Sequence, residues 1–230
     1  MGIIKFISLN KEWIDCMKEY FKNTALVIID SADIRDLPRE NTCFVSPANS
    51  LGFMDGGIDL VLSREIMPGI ESKVKKRIQE LNIISSMGRP YLPIGSVLAV
   101  PHDLKTYLIV TPTMFLPHDV RGTQNAYWSF FAALIMWRKL CSQKNKRFNL
   151  VVTSHCCGVG RMPASDSAAQ MKRAYDDFIQ GRGPEVIKEF EDAILFPNRD
   201  LSQPNNYDNR EIKELQMTRE AYLGLMRKED

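Results

Sequence analysis

Apolar and polar residues follow two alternating patterns along the chain. Segments with apolar residues three or four positions apart predict helices at residues 11–21, 57–66, 70–81, 123–141, a stretch N-capped by Ser165, and 185–195. Short apolar runs, two of them stopped by proline, predict strands at residues 3–8, 25–29, 42–45, 95–100, 106–111 and 148–153. The run at 25–29 is continuously apolar, which is typical of a strand buried on both faces.

The alternation of strands and helices predicts an α/β domain with helices on both faces of a sheet. In such sheets, ligands bind beyond the carboxyl ends of the strands. The loops that follow Val45, Thr111 and Thr153 occupy those ends, and they are rich in Ser, Thr, Pro, Gly and Asn. We therefore expect a ligand site where these three loops meet.

The length of 230 residues favours one large domain, which we place at residues 1–196. Residues 197–209 are polar and rich in turn formers, and they predict a linker. Apolar residues then recur at roughly helical spacing, at Ile212, Leu215, Tyr222 and Met226. Residues 197–230 are thus predicted to form a polar linker and a C-terminal helix, which could dock on a partner but for which docking on the domain is favoured.

Composition excludes several classes of protein. The net charge of only +2 gives no strong signal for nucleic-acid binding, for which a basic face is expected. No apolar stretch reaches the length of a membrane span, and the first residues do not resemble a signal peptide, so a cytoplasmic or other intracellular location is expected. The five cysteines are irregularly spaced and include no C-x-x-C pair, so we expect neither a disulfide framework nor a metal site. No cofactor is expected.

The first candidate site is the loop at residues 46–59, with the sequence SPANSLGFMDGGID. It follows a predicted strand and leads into a predicted helix. Backbone N–H groups in such a glycine-containing loop can approach a phosphate closely. Two carboxylates and one amide stand in the same loop, at Asp55, Asp59 and Asn49. This combination indicates a site for a phosphorylated small molecule.

A second loop of the same kind lies at residues 154–163, with the sequence SHCCGVGRMP. It is not a P-loop, because Gly-Lys-Ser/Thr is absent, and Pro163 stands where a dinucleotide fingerprint has its last glycine. Two glycine loops on one sheet can hold the two ends of a diphosphate.

Together these loops resemble the macro domain, an ADP-ribose-binding family. Its first loop runs Asn-Ala-Ala-Asn, then a glycine cluster, a hydrophobic residue and often Asp, and residues 46–49 and 56–59 keep that order. Asn49 and Asp59 also keep the ten-residue separation of hydrolytic macro domains. The family's Gly-Asp-Ile has a counterpart at residues 32–34, and its Gly-x-x-Gly-x-Pro loop has one at 158–163. The resemblance implies a three-layer α/β/α fold with a mixed central sheet.

The resemblance also implies roles for individual residues in binding ADP-ribose or an ADP-ribosylated macromolecule. Asp33 would accept a hydrogen bond from the adenine amino group, and Ile34 would offer its backbone N–H. Backbone N–H groups of the two glycine loops would bind the diphosphate from opposite sides. The residues of those loops assigned to ligand binding are Ala48, Asn49, Gly56, Gly57, Ile58, Ser154, Gly158, Val159, Gly160, Arg161 and Met162.

Catalysis would depend on two residues of the first loop. Asn49 would bind the distal ribose, and Asp59 would orient or activate a water molecule there. Ser46 stands where the family has its first Asn, and Arg161 stands where many members have an aromatic residue. No pair of adjacent glutamates follows the loop, which disfavours the poly(ADP-ribose) glycohydrolase type.

Three hypotheses for function follow. The chain is a hydrolase of an ADP-ribosyl linkage or of ADP-ribose phosphate, or a non-catalytic reader of ADP-ribose. A remoter alternative is a thiol hydrolase in which His155 activates Cys156 or Cys157.

Overall fold

A mixed β-sheet forms the centre of the part of the chain that the computed structural model describes, residues 2–86, 88–183, 188–190 and 193–195. Its eight strands lie in the order β2-β1-β6-β3-β5-β4-β8-β7. The first five are parallel, whereas β4, β8 and β7 each run antiparallel to the preceding strand in that order. The strands are β1 (Ile4–Ile7), β2 (Val27–Asp30), β3 (Thr42–Ser46), β4 (Val97–Pro101), β5 (Thr106–Val110), β6 (Asn149–Val152), β7 (Lys188–Phe190) and β8 (Ala193–Leu195).

Helices cover both faces of this sheet. They are α1 (Lys11–Tyr20), α2 (Gly57–Val61), which a π-helical turn at Leu62–Ile66 continues, α3 (Ile70–Glu80), α4 (Asn125–Gln143) and α5 (Ala164–Ile179). One buried apolar cluster joins the sheet to α1, α4 and α5, and a second joins its other face to α3 and the π-helical turn. The three-layer α/β/α fold with a mixed central sheet, predicted from the sequence, is thereby confirmed.

Helix α4 shows why the layers stack in this way. Most of its residues are buried, because it packs against the sheet on one side and α5 on the other. A helix that is apolar nearly all round needs such a position between two layers. Phe130 of α4 contacts Phe6 of β1, with ring centroids 5.4 Å apart.

The position of β2 corrects one prediction. The run at residues 25–29 was expected to be buried on both faces, but β2 is the edge strand beside β1, and its residues alternate between partly buried and exposed. Ile28 is 45% exposed. A continuous apolar run does not distinguish an edge strand from a central one, because both are extended and rich in β-branched residues.

The predicted helix at residues 185–195 is also wrong where the structure describes it. Strands β7 and β8 form an antiparallel pair there, and β8 pairs with β4 through Val97 and Ile194. The residues of β8 are buried. Pairing with the free edge of β4 satisfies backbone groups that a helix would leave exposed on the sheet.

Helix α5 begins at Ala164, two residues earlier than an N-cap at Ser165 predicts. Pro163 occupies the N-cap position and no side chain caps the helix, so the assignment of Ser165 as N-cap is wrong. Ser165 lies in the first turn, and its hydroxyl bonds to the carboxylate of Asp166 instead.

The predicted linker and C-terminal helix at residues 197–230 lie outside the described residues, so the boundary at residue 196 stays a prediction. Among the described helices, none is long and apolar enough to cross a membrane.

Candidate ligand-binding site

A cavity of about 480 Å³ lies at the carboxyl edge of the parallel strands. The loops that follow β1, β2, β3, β5 and β6 all contribute to its lining. Parallel strands end on one edge of a sheet, so these five loops necessarily meet there. The volume lies within the range of small-molecule sites.

Glycines Gly56 and Gly57 form one wall of the cavity at the start of α2. A side chain at either position would meet no atom within 4 Å, so the backbone faces open space. Gly57 has φ +51°, which favours glycine. The first helical hydrogen bond runs from Leu60 N to Gly56 O. The N–H groups of the intervening residues, 57–59, therefore have no acceptor within the described part of the protein.

The loop after β6 forms the opposite wall. It is closed by hydrogen bonds from Arg161 N to Gly158 O and from Met162 N to Cys156 O. A Cβ on Gly160 would lie 2.5 Å from Cys156 O, so close packing requires glycine here. The N–H groups of residues 158–160, all of which line the cavity, donate to no acceptor among the residues described.

Asp33 and Ile34 lie at the end of the cavity formed by the loop after β2. Asp33 caps a short 3₁₀ helix, Ile34–Asp36, by accepting a hydrogen bond from Arg35 N at 2.9 Å. The guanidinium of Arg35 also binds both oxygens of the Asp33 carboxylate, at 2.9 and 2.7 Å. This side-chain pairing holds the pKa of Asp33 at about 2.

The Asp33 carboxylate can still accept a hydrogen bond from a ligand. A carboxylate has about four lone-pair sites, and Arg35 occupies three of them. Ile34 is the first residue of the 3₁₀ helix, so its N–H has no partner within that helix.

Asn49 lines the cavity, yet its side chain is mainly engaged in its own loop. Its Oδ1 accepts from Leu51 N and Phe53 N at 3.1 and 3.2 Å, and its Nδ2 donates to Phe53 O at 3.0 Å. Both acceptor sites of the amide oxygen are thus occupied. One N–H of Nδ2 is left for a ligand.

Asp59 lies in the first turn of α2 and lines the cavity. The hydroxyl of Ser46 donates to Asp59 Oδ1 over 2.6 Å. Burial raises the pKa of Asp59 to about 7, and the negative charge of Glu71 acts in the same direction, whereas the Ser46 hydrogen bond lowers it. A carboxyl group with this pKa exchanges a proton near neutral pH.

Not all residues assigned to the site lie in it. Ala48 and Ser154 line the cavity with the residues described above, but Arg161 and Met162 do not. Met162 is 3% exposed and packs in the core of the α1, α4 and α5 layer. Arg161 is exposed, and its charge helps to lower the pKa of Asp119, an effect due mainly to Arg121.

The environment of the cysteines in the second loop favours the protonated thiol. Burial raises the pKa of Cys156 well above that of a free thiol, and burial likewise raises the pKa of Cys157. His155 is fully buried, burial lowers its pKa to about 3, and its Nδ1 lies 3.0 Å from Ser129 Oγ. This arrangement disfavours the thiol-hydrolase hypothesis, which needs a thiolate activated by histidine.

Sequence reasoning missed several lining residues. Arg35 and Phe53 stand beside predicted site residues, and their roles depend on side-chain direction, which neither motif specifies. Residues 8–10 also line the cavity, and they could have been found because they lie at the carboxyl end of a predicted strand. Within the described residues, no three His, Cys, Asp or Glu side chains are grouped to hold a metal ion.

Solved structures that are similar to this chain include macrodomains. The macrodomain of Mycobacterium tuberculosis DarG is 16% identical, with 77% of this chain and 93% of that chain covered and a TM-score of 0.51. The Oceanobacillus iheyensis macrodomain with MES bound is 21% identical, covering 66% and 75%, with a TM-score of 0.49. Thermosipho africanus DarTG in complex with ADP-ribose is 12% identical, covering 69% and 46%, with a TM-score of 0.47. No protein-family model and no curated protein sequence matches the chain.

These similarities concern the fold of the protein. The similarity to the DarG macrodomain extends over most of both chains and shows that this chain has the macrodomain fold. This agrees with the resemblance carried by the two glycine loops of the sequence.

Proposed function

We propose that this protein binds ADP-ribose, or an ADP-ribosyl group on a macromolecule, in the cavity between its two glycine loops. The observation that carries the proposal is the set of six backbone N–H groups, at residues 57–59 and 158–160, that line one cavity and donate to no acceptor in the described chain. A diphosphate supplies the anionic acceptors that such donors require.

The lining of the cavity offers the diphosphate no cluster of cationic side chains. Arg35 is the only lysine or arginine among the described lining residues, and Asp33 and Glu65 already pair with it. The diphosphate would therefore be held by backbone donors and by the positive end of α2, rather than by a cluster of cationic side chains. Asp33 and Ile34 supply an acceptor and a donor for the adenine ring at one end.

Calorimetric titration with ADP-ribose, AMP and NAD tests this proposal. We expect saturable one-to-one binding of ADP-ribose that is at least tenfold tighter than binding of AMP, since AMP has no second phosphate and no distal ribose for the loops to hold. Equal affinities for ADP-ribose and AMP, or no binding of ADP-ribose, would contradict it.

A second candidate function is hydrolysis of an ADP-ribosyl linkage or of ADP-ribose phosphate. It is favoured by the carboxyl of Asp59, whose pKa of about 7 suits a group that takes a proton from water near neutral pH. A protein that binds without turnover would instead be a reader of ADP-ribose.

Turnover measurements separate these two functions. If Asp59 is the base, Asp59→Ala lowers the turnover number at least a hundredfold while ADP-ribose still binds. Absence of turnover by the parent protein on ADP-ribosylated protein, ADP-ribosylated nucleic acid and ADP-ribose 1″-phosphate would leave the reader function.

We also propose a location, on the separate ground of the state of the cysteines. All five cysteines are free thiols in the structure, which is their usual state in a reducing compartment. We therefore place the proposed ADP-ribosylated partner in the cytoplasm or another intracellular compartment.

A further inference from the structure

Ser46 is the last residue of β3 and is fully buried. Its backbone is fixed by the ladder with β5, and its carbonyl accepts a hydrogen bond from Thr111 N at 3.1 Å. The hydroxyl of this rigidly held residue donates to Asp59 Oδ1 over 2.6 Å, a length typical of a strong hydrogen bond to a carboxylate. The end of the central strand is thereby linked to the first turn of α2.

The hydrogen bond makes the two oxygens of Asp59 unequal. Oδ1 is engaged by Ser46, whereas Oδ2 accepts no hydrogen bond from the described residues. A proton on Oδ2 leaves the hydrogen bond from Ser46 to Oδ1 intact, whereas a proton on Oδ1 would require the Ser46 hydroxyl to turn and accept it.

We propose that Ser46 is a positioning residue that holds Oδ1 of Asp59, so that Oδ2 alone is offered to a ligand or water in the cavity. Ionised Oδ2 is an acceptor for a water proton, and protonated Oδ2 is a donor to an oxygen of the ligand. The inference rests on the proposed function in that the molecule facing Oδ2 is the bound ADP-ribosyl group or its attacking water.

The charged groups near Asp59 do not replace the hydrogen bond from Ser46. Glu71 of α3 is negative, pairs with Lys75 at 2.7 Å and raises the pKa of Asp59. Asp55 in the first loop lines the same cavity and is also acidic. The hydrogen bond from Ser46, in contrast, stabilises the ionised form of Asp59.

The test is a carbon-detected NMR titration of the Asp59 carboxyl group between pH 5 and 9, without ligand. In Ser46→Ala we expect the midpoint to rise by roughly one pH unit, because a hydrogen bond to the charged form is lost. Ser46→Thr keeps a hydroxyl and should restore the midpoint. Ser50→Ala is the matched control, since it removes another buried hydroxyl of the same loop, one that donates to Met114 O.

An unchanged midpoint in Ser46→Ala, or a shift of equal size in Ser50→Ala, would overturn the inference. ADP-ribose is then titrated into the same proteins. A shifted midpoint with no ADP-ribose binding by the parent protein would support the Ser46–Asp59 coupling and contradict the proposed function, so the two failures are distinguishable.

Discussion

Asp59 changes its charge close to neutral pH, because burial raises the pKa of its carboxyl to about 7. The diphosphate of ADP-ribose stays ionised over the same range. If ADP-ribose binds as proposed, a carboxylate and the anionic ligand share one cavity above pH 7, whereas below pH 7 the carboxyl is neutral.

The first prediction is that ADP-ribose affinity falls as pH rises. Between pH 5.5 and 8.5 we expect the dissociation constant to increase roughly three- to tenfold, since ionised Asp59 repels the diphosphate. Asp59→Asn stays neutral and should abolish most of this dependence. An affinity of the parent protein that is constant across this range, measured by calorimetry, would exclude the electrostatic coupling.

The second prediction separates two glycines of one loop. A methyl group on Gly160 would lie 2.5 Å from Cys156 O and 2.8 Å from Val120 Cγ2, whereas one on Gly158 would meet no atom within 4 Å. Gly160→Ala should lower the free energy of unfolding by about 1–3 kcal/mol, and Gly158→Ala should change it by less than about 0.5 kcal/mol. Denaturant titration measures both, and equal effects would contradict the packing of this loop.

Residue-level roles were predicted from the sequence only in part. The motif placed Asn49 in the site, but it could not show that the amide binds Leu51 and Phe53, because that depends on how the loop folds back. Met162 belongs to the Gly-x-x-Gly-x-Pro loop, yet it packs in the core. A motif specifies which residues share a loop, and the direction of each side chain depends on its tertiary contacts.

At the scale of elements, the hydrophobic pattern predicted the parallel strands and the helices between them. Their local sequences carry a clear period and are bounded by turn residues. The β7–β8 pair was predicted as a helix, because its formation depends on the distant edge of β4 rather than on local sequence. The edge position of β2 was missed for a similar reason.

The third prediction tests the β7–β8 pair. Ile194 of β8 is fully buried and pairs with Val97, so Ile194→Ala should lower the free energy of unfolding by about 2–5 kcal/mol. Ile179→Ala serves as the control, since Ile179 is 58% exposed at the end of α5 and its loss should cost less than about 0.5 kcal/mol. If both variants unfold at the same denaturant concentration, β8 does not pack as described.

At the scale of the whole molecule, the raised pKa of Asp59 couples stability to pH. The folded state holds the proton up to about pH 7, whereas the unfolded state releases it near pH 3.8. The contribution of Asp59 to the free energy of unfolding is therefore highest below pH 3.8, where Asp59 is protonated in both states. It falls as pH rises and reaches its lowest level above about pH 7, where the buried carboxyl is ionised. Burial of the Asp59 carboxyl therefore destabilises the folded protein at neutral pH.

The fourth prediction follows from that linkage. Compared with the parent protein, Asp59→Asn should gain up to about 4 kcal/mol in free energy of unfolding between pH 4 and 8. His155 opposes this trend in the parent protein, because burial lowers its pKa to about 3, but it is common to both proteins and cancels in the difference. A difference that is constant with pH in denaturant titrations would show that the Asp59 carboxyl is not desolvated.

The central claim is that the cavity between the two glycine loops holds ADP-ribose, and a pair of glycine variants tests it most directly. Gly57 and Gly69 both have positive φ and open space around them, but only Gly57 lines the cavity. Each is replaced by glutamate, and ADP-ribose is titrated calorimetrically into both folded variants and the parent. We predict that Gly57→Glu loses at least a hundredfold in affinity through steric block and charge, while Gly69→Glu binds as the parent does. Retention of parent-like affinity by Gly57→Glu would contradict the assignment of the site.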